Sequence, residues 1–257
     1  MTLLPADRLT RFGIWLIAAF LAAGPARAGL INVDFNDATA NAGSPTPTFA
    51  GAAAIGQAGD PWNGLNLADG WGDSNTTKVY AGLIDASGMA TGVSLTLTGE
   101  RCAFPAAPAA PVTGTYGALM QDYVSYSPVF VFSGLENGAY DVYVYSGTGS
   151  NGTSSGSVQV NGGTAKYFAS GLGGNAWVAD RDYLLFSATV TDGTLTINGV
   201  DKVGDVLGNL FAGFQIRSAW PAALWSAAGV SDWGNAANWT AENGACLLYT
   251  SPSPRNS

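Results

Sequence analysis

The sequence contains no histidine. This excludes Ser-His-Asp and Cys-His nucleophilic machinery, histidine-ligated zinc and imidazole acid–base catalysis. Carboxylate, lysine or tyrosine chemistry and an oxygen-ligated metal remain. Cysteine is almost as scarce. Cys246 lies in an anomalous C-terminal tract and Cys102 otherwise stands alone, so neither an internal disulfide nor a thiolate metal site is expected. Cys102 reads as a small, half-buried apolar residue rather than a nucleophile. Charge is thin, and acids outnumber bases eighteen to ten. Between Gly29 and Ala245 the ratio is seventeen to six, which removes the basic footprint that nucleic acid or anionic lipid requires. Amphipathic helical periodicity is missing as well.

The two ends differ from the rest. Arg8 and Arg11, the apolar run Phe12–Ala23 and the triplet Ala26-Arg27-Ala28 have the order of a secretory signal over residues 1–28. The apolar run is shorter than the ~20 residues that span a bilayer. An exported protein at the cell surface or outside it is therefore expected. At the other end, Cys246–Arg255 (CLLYTSPSPR) resembles a translated sequencing-library adapter, and residues 246–257 are read as an artefact of that kind. On this reading, the natural chain continues past Ala245.

What is present is β-sheet patterning. Short runs rich in Val, Thr, Tyr and Phe alternate apolar and polar residues between Gly, Asn and Asp turns. Strands are predicted at 30–35, 78–84, 92–98, 128–132, 139–146, 157–161, 165–169, 184–191, 194–198 and 209–217. The Pro/Ala-rich stretch 103–111 cannot be a central strand. Leu135–Gly138 and Asp192-Gly193 are read as the turns of two hairpins. In the run 139–146, Tyr140, Val142 and Val144 face one side, and Asp141, Tyr143 and Tyr145 the other. The fold class is all-β, a two-sheet antiparallel sandwich of jelly-roll type. The first and last strands are expected to lie side by side.

The opening I-N-V-D-F (31–35), the phrase F-S-G-L-E-N-G-A-Y-D-V-Y-V-Y (132–145) and the closing N-L-F-A-G-F-Q-I (209–216) resemble the galactose-binding-like jelly-roll domains of secreted bacterial proteins. The resemblance covers residues 29–218. It implies a sandwich that binds sugars or other small polar groups through loops at one end and often carries a structural Ca²⁺ near the chain start. It transfers no ligand residue, because the matching positions are core and turn positions. From Trp225 to Trp239 the spacing of tryptophans resembles the start of autotransporter-associated β-strand repeats, so residues 219–245 are read as the opening of a second module.

Candidate sites follow from residue chemistry. A sugar surface needs an aromatic ring to stack on pyranose C–H groups, beside carboxylates or amides that bond its hydroxyls. Trp62 with Asp60 and Asn63, Trp71 with Asp73, and Trp177 near Asp180 and Arg181 meet that description. Asp34, Asn36 and Asp37, at the predicted end of the first strand, offer oxygen ligands for a possible structural Ca²⁺. A glycosidase would need a facing carboxylate pair. Of Glu100, Glu136 and Glu242, Glu100 comes nearest, and Arg101 beside it marks it as a solvated charge. The expectation is a non-catalytic recognition module with a glycan ligand. A structural or adhesive spacer, or an accessory domain of a glycan-active enzyme, stands as the alternative.

Overall fold

A computed structural model describes residues 29–37, 48–67, 77–99, 103–105, 118–120, 122–124, 127–146, 156–168, 176–200, 210–219, 223–225 and 239–241. The strands are β1 (Leu30–Asp37), β2 (Asn63–Leu67), β3 (Thr77–Tyr80), β4 (Ser94–Thr98), β5 (Ala103–Pro105), β6 (Asp122–Val124), β7 (Val129–Ser133), β8 (Gly138–Ser146), β9 (Ser157–Val160), β10 (Lys166–Tyr167), β11 (Tyr183–Val190), β12 (Thr194–Val200), β13 (Phe211–Ser218), β14 (Ala223–Trp225) and β15 (Trp239–Ala241). Among the described residues there is one 3₁₀ turn, Ala118–Met120, and no α-helix. No helix there is long and apolar enough to cross a membrane.

Two sheets make the sandwich. The first runs β11-β8-β13-β1-β2, with β6 joined to β13 and β5 to β6; the second runs β10-β9-β12-β7-β4-β3. Every pairing is antiparallel except β1–β2, which is parallel. As expected, the first and last strands of the sandwich pair, with Ile31 opposite Ile216 and Val33 opposite Phe214. Gly213 in β13 permits this, because a Cβ there would lie 2.3 Å from the Val33 carbonyl oxygen.

The alternation read from the sequence decides what is buried. Val142 and Val144 of β8 point inward with Ile31, Val33 and Phe35 of β1 and Phe214 of β13, and they meet Leu95, Leu97, Phe130, Phe132, Leu195 and Ile197 of the second sheet. Phe130 sits at the centre, its ring 4.8 Å from Phe214, 5.1 Å from Phe211 and 5.3 Å from Phe35. Interlocked rings of this kind add about 0.5–1.5 kcal/mol per pair beyond area burial.

Two predicted hairpins are corrected. β7 and β8 belong to different sheets, as do β11 and β12, so both connections are corners that carry the chain across the sandwich. The corners lie against each other: the Gly193 N–H donates to Asn137 Oδ1 at 3.0 Å, and the Leu135 N–H donates to the Gly193 carbonyl at 3.1 Å. Turn chemistry specifies the reversal but not the partner of the outgoing strand. The β9–β10 reversal is a true hairpin, with Asn161 and Gly162 both at positive φ. In the Trp-rich segment, β14 and β15 pair with Trp225 opposite Trp239. The signal-like residues 1–28 and the tract 246–257 lie outside the described residues.

Candidate functional site

The inner face of the first sheet builds the core; its outer face carries the chemistry. Register places Tyr183, Tyr145, Gly213 and Asp34 in one row across β11, β8, β13 and β1, and Leu185, Tyr143, Gln215 and Asn32 in the next. A third row holds Ser187, Asp141 and Arg217.

Over half of this face the chain lays down the segment 48–62. Beneath it run buried polar residues: Asn32, Asp34 and Gln215 at 0% exposure and Asn36 at 1%. Buried polar groups cost stability unless they are bonded, and here they fasten the segment to the sheet. Asp34 Oδ2 accepts the Phe49 N–H at 2.7 Å, and Asn36 Nδ2 donates to Thr48 Oγ1 at 2.9 Å. Gln215 Nε2 donates to Asn32 Oδ1 and to the Ile55 carbonyl, and Asn32 Nδ2 donates to the Pro61 carbonyl. The Tyr145 hydroxyl donates to Gln215 Oε1 and accepts the Ala54 N–H at 2.9 Å. Burial pushes the Tyr145 phenol well above its ordinary pKa, although the Ala54 bond pulls the other way.

This arrangement decides several sequence expectations. Trp62 is not an open stacking platform. It is 5% exposed, and its indole N–H donates to the Gly51 carbonyl at 2.9 Å. Its ring lies between Phe49 (5.1 Å) and Tyr145 (6.1 Å) in a small second core. Asn63 bonds the Asn32 and Ile84 carbonyls and the Ile84 N–H, and Asp60 Oδ2 accepts the Gln57 N–H. Asp60 thus closes its own segment, and Asn63 ties the start of β2 to β1 and to Ile84. Trp71 and Asp73 lie outside the described residues.

Asp34, Asn36 and Asp37 stand in the last stretch of β1, which ends at Asp37. Parallel pairing with β2 extends β1 through Asp37, so there is no strand–loop junction at Asn36. An extended strand sends alternate side chains to opposite faces. Asp34 and Asn36 share the outer face, and both bond the covering segment. Among the described residues no group of three His, Cys, Asp or Glu is arranged to hold a metal.

Trp177 is different. It is half-buried, with its ring 5.1 Å from Tyr145 at 75°, and it sits at the margin of the covered area. A rigid turn presents it. The buried Asp182 carboxylate accepts the Val178 N–H at 2.8 Å and is paired with Arg181 at 2.8 Å, and Arg181 reaches back to the Ala176 carbonyl. Asp180, exposed on the same turn, has φ +64°. An L-residue held there pays a conformational cost that the surrounding bonds must offset. Tyr183 closes the turn, its ring 5.6 Å from Tyr143 and 6.0 Å from Tyr145. Tyr183 and Leu185 are half-buried, and Val178 is 42% exposed. The result is a fixed, partly open aromatic surface edged by carboxylate and guanidinium.

Sequence reasoning misses Tyr183 and, for the tyrosines of β8, establishes only the face on which each lies. The usable signal was the shared face of Tyr143 and Tyr145, together with the Y-x-L alternation at Tyr183 and Leu185.

No protein-family model and no curated protein matches the sequence. Among solved structures the chain is similar to the Bacillus subtilis protein YXIM, at 16% identity over 74% of this chain and 40% of that one, with a TM-score of 0.35. It is similar to a family 35 carbohydrate-binding module from Clostridium thermocellum, at 15% identity over 56% of this chain and 99% of that one, TM-score 0.32. It is also similar to an exo-β-1,3-galactanase from Phanerochaete chrysosporium, at 13% identity over 56% of this chain and 26% of that one, TM-score 0.24. The match spans less than half the length of the Bacillus and Phanerochaete proteins. At such identities and scores these likenesses do not say what this chain binds.

Proposed function

We propose that the chain is an exported, non-catalytic recognition domain that binds glycan on the outer face of its first sheet, at Trp177 and Tyr183. The observation that carries this reading is the turn 176–183. It immobilises a half-exposed tryptophan beside a half-exposed tyrosine and places Asp180 and Arg181 within the same eight residues. Flat rings for C–H faces with donors and acceptors at their edge are what sugar recognition requires. Pre-ordering of the turn lowers the entropy lost on binding. Affinity electrophoresis of the full chain through gels containing galactan, xylan or β-glucan tests the proposal. Retardation on at least one polysaccharide, reduced about tenfold in Trp177→Ala, is expected. An intact circular-dichroism signature without retardation on any of them would sink it.

A structural or adhesive spacer is the second reading. The buried Trp62 favours it, as does the outer face of the second sheet, which is uncharged and rich in Thr, Ser and Val.

A further inference from the structure

We infer that the ligand surface is a strip which reads an extended run of sugar units, rather than a closed site for one terminal sugar. This deepens the reading proposed above and rests on it. The aromatic turn is only one end of the uncovered half of the outer face. From Tyr183 the surface continues along β11 through Leu185 to Ser187, which lies in register with Asp141 on β8 and Arg217 on β13. Four residues of antiparallel strand measure roughly 14 Å, the length of about three pyranose rings in an extended chain.

The chemistry changes along that length in a usable order. Rings and an aliphatic side chain occupy the first part. Ser187 is exposed, and the far end holds an ion pair, Arg217 to Asp141 at 2.6 Å, with side-chain exposures of 45% and 21%. A guanidinium beside a carboxylate presents donors and acceptors to neighbouring hydroxyls while carrying no net charge. The Tyr143 hydroxyl lies 3.5 Å from the same guanidinium and links the two parts. The strip stops where segment 48–62 covers the sheet over Gln215 and Asn32. Both arginines near the strip are already paired with carboxylates and the chain is acidic, so the occupant is a neutral glycan rather than a polyanion.

Calorimetry on the full chain decides this, with galacto-, xylo- and cello-oligosaccharides of one to six units as probes. The dissociation constant for the bound series is expected to fall at least about tenfold from one unit to three and to level off beyond four. Arg217→Ala and the isosteric Asp141→Asn are expected to weaken the three-unit probe about five- to tenfold and to leave the one-unit probe unchanged, whereas Trp177→Ala weakens both. A one-unit probe bound as tightly as three units overturns the strip. Trimer affinity left unchanged in both far-end variants overturns it too, with the glycan reading left standing. A folded chain that binds no member of any series overturns the glycan reading beneath it.

Discussion

The two outer faces of the sandwich are built from the same alternation and reach opposite ends. On the first sheet, outward positions hold Asn32, Asp34, Tyr145 and Gln215, all at 0% exposure, because segment 48–62 and its aromatic residues lie over them. On the second sheet three of the outward rows are Thr77, Thr98, Val129, Asn198 and Gln159, then Val79, Thr96, Val131 and Thr196, then Ser94, Ser133 and Thr194. Every one of these is half-exposed or exposed, and none is charged or aromatic; the remaining row, at the β10 edge, holds Val200, the buried Ser157 and the exposed Tyr167. A face of hydroxyls and small methyl-bearing side chains can stand in water without cover. A face of tyrosines and buried amides cannot, and it acquires a covering segment whose bonds satisfy most of its polar atoms, Asn36 Oδ1 being left buried without a hydrogen bond. Where the cover ends, the rings of Trp177 and Tyr183 emerge already packed against Tyr145.

If the covered face is a second core, its residues carry core-sized energies. Trp62→Ala is expected to cost about 3–5 kcal/mol in urea unfolding, since a 5%-exposed indole and its bond to Gly51 both vanish. A loss below about 1 kcal/mol would make segment 48–62 an ordinary surface loop and erase the contrast. Gly213→Ala probes the same face from beneath. Its Cβ would lie 2.3 Å from the Val33 carbonyl oxygen and 2.9 Å from Leu119 Cδ1. A cost of about 1–3 kcal/mol is expected as β1 and β13 are forced apart.

The first sheet's inner face was legible because Ile31, Val33, Val142, Val144, Phe214 and Ile216 alternate with polar residues in strands of seven or more. The outer face was legible only in part. Alternation put Tyr143 and Tyr145 together on one side, yet nothing local reveals that a distant segment covers that side, since the Tyr145 bond to Ala54 joins residues 91 apart. The same distance hid the fate of Trp62, whose Gly-, Pro- and Asn-rich surroundings read as a free loop while β2 pairs in parallel with β1. Parallel pairing leaves no turn signature in the sequence. Trp177 was legible as an aromatic in a polar loop, but the Asp182 carboxylate that fixes its turn was not.

Acidity and alkalinity distinguish the faces more finely. Burial raises the Tyr145 phenol well above its ordinary 10.0, and burial raises Tyr143 as well, by a smaller shift. The unfolded chain therefore loses these protons first. Stability is unaffected below pH 10 and falls above it, by up to about 1.4 kcal/mol per pH unit for each such group. Tyr145→Phe is expected to cost about 1–3 kcal/mol at neutral pH by leaving the Ala54 N–H without its acceptor, and to flatten part of the alkaline decline. An unchanged slope in urea titrations from pH 9 to 11 would mean that the phenol is wet and the cover open.

The smallest effect tests the bare face. Thr196 lies in the middle row of the second sheet, flanked by Val131 and half-exposed. A lysine there can extend into solvent from a strand that already faces it, so Thr196→Lys is expected to change stability by no more than about 0.5 kcal/mol. The added charge lies on the opposite side of the sandwich from Trp177, so retardation on polysaccharide should stay as in the parent chain. This variant bears on both readings of the molecule. If it abolishes retention while the fold is intact, the uncharged hydroxyl rows are the ligand surface and the aromatic strip is structural. If retention survives Thr196→Lys and fails in Trp177→Ala, the bare face needs no ligand to explain its composition: a twelve-residue array without charge or ring is the ordinary way for an open sheet to stay hydrated.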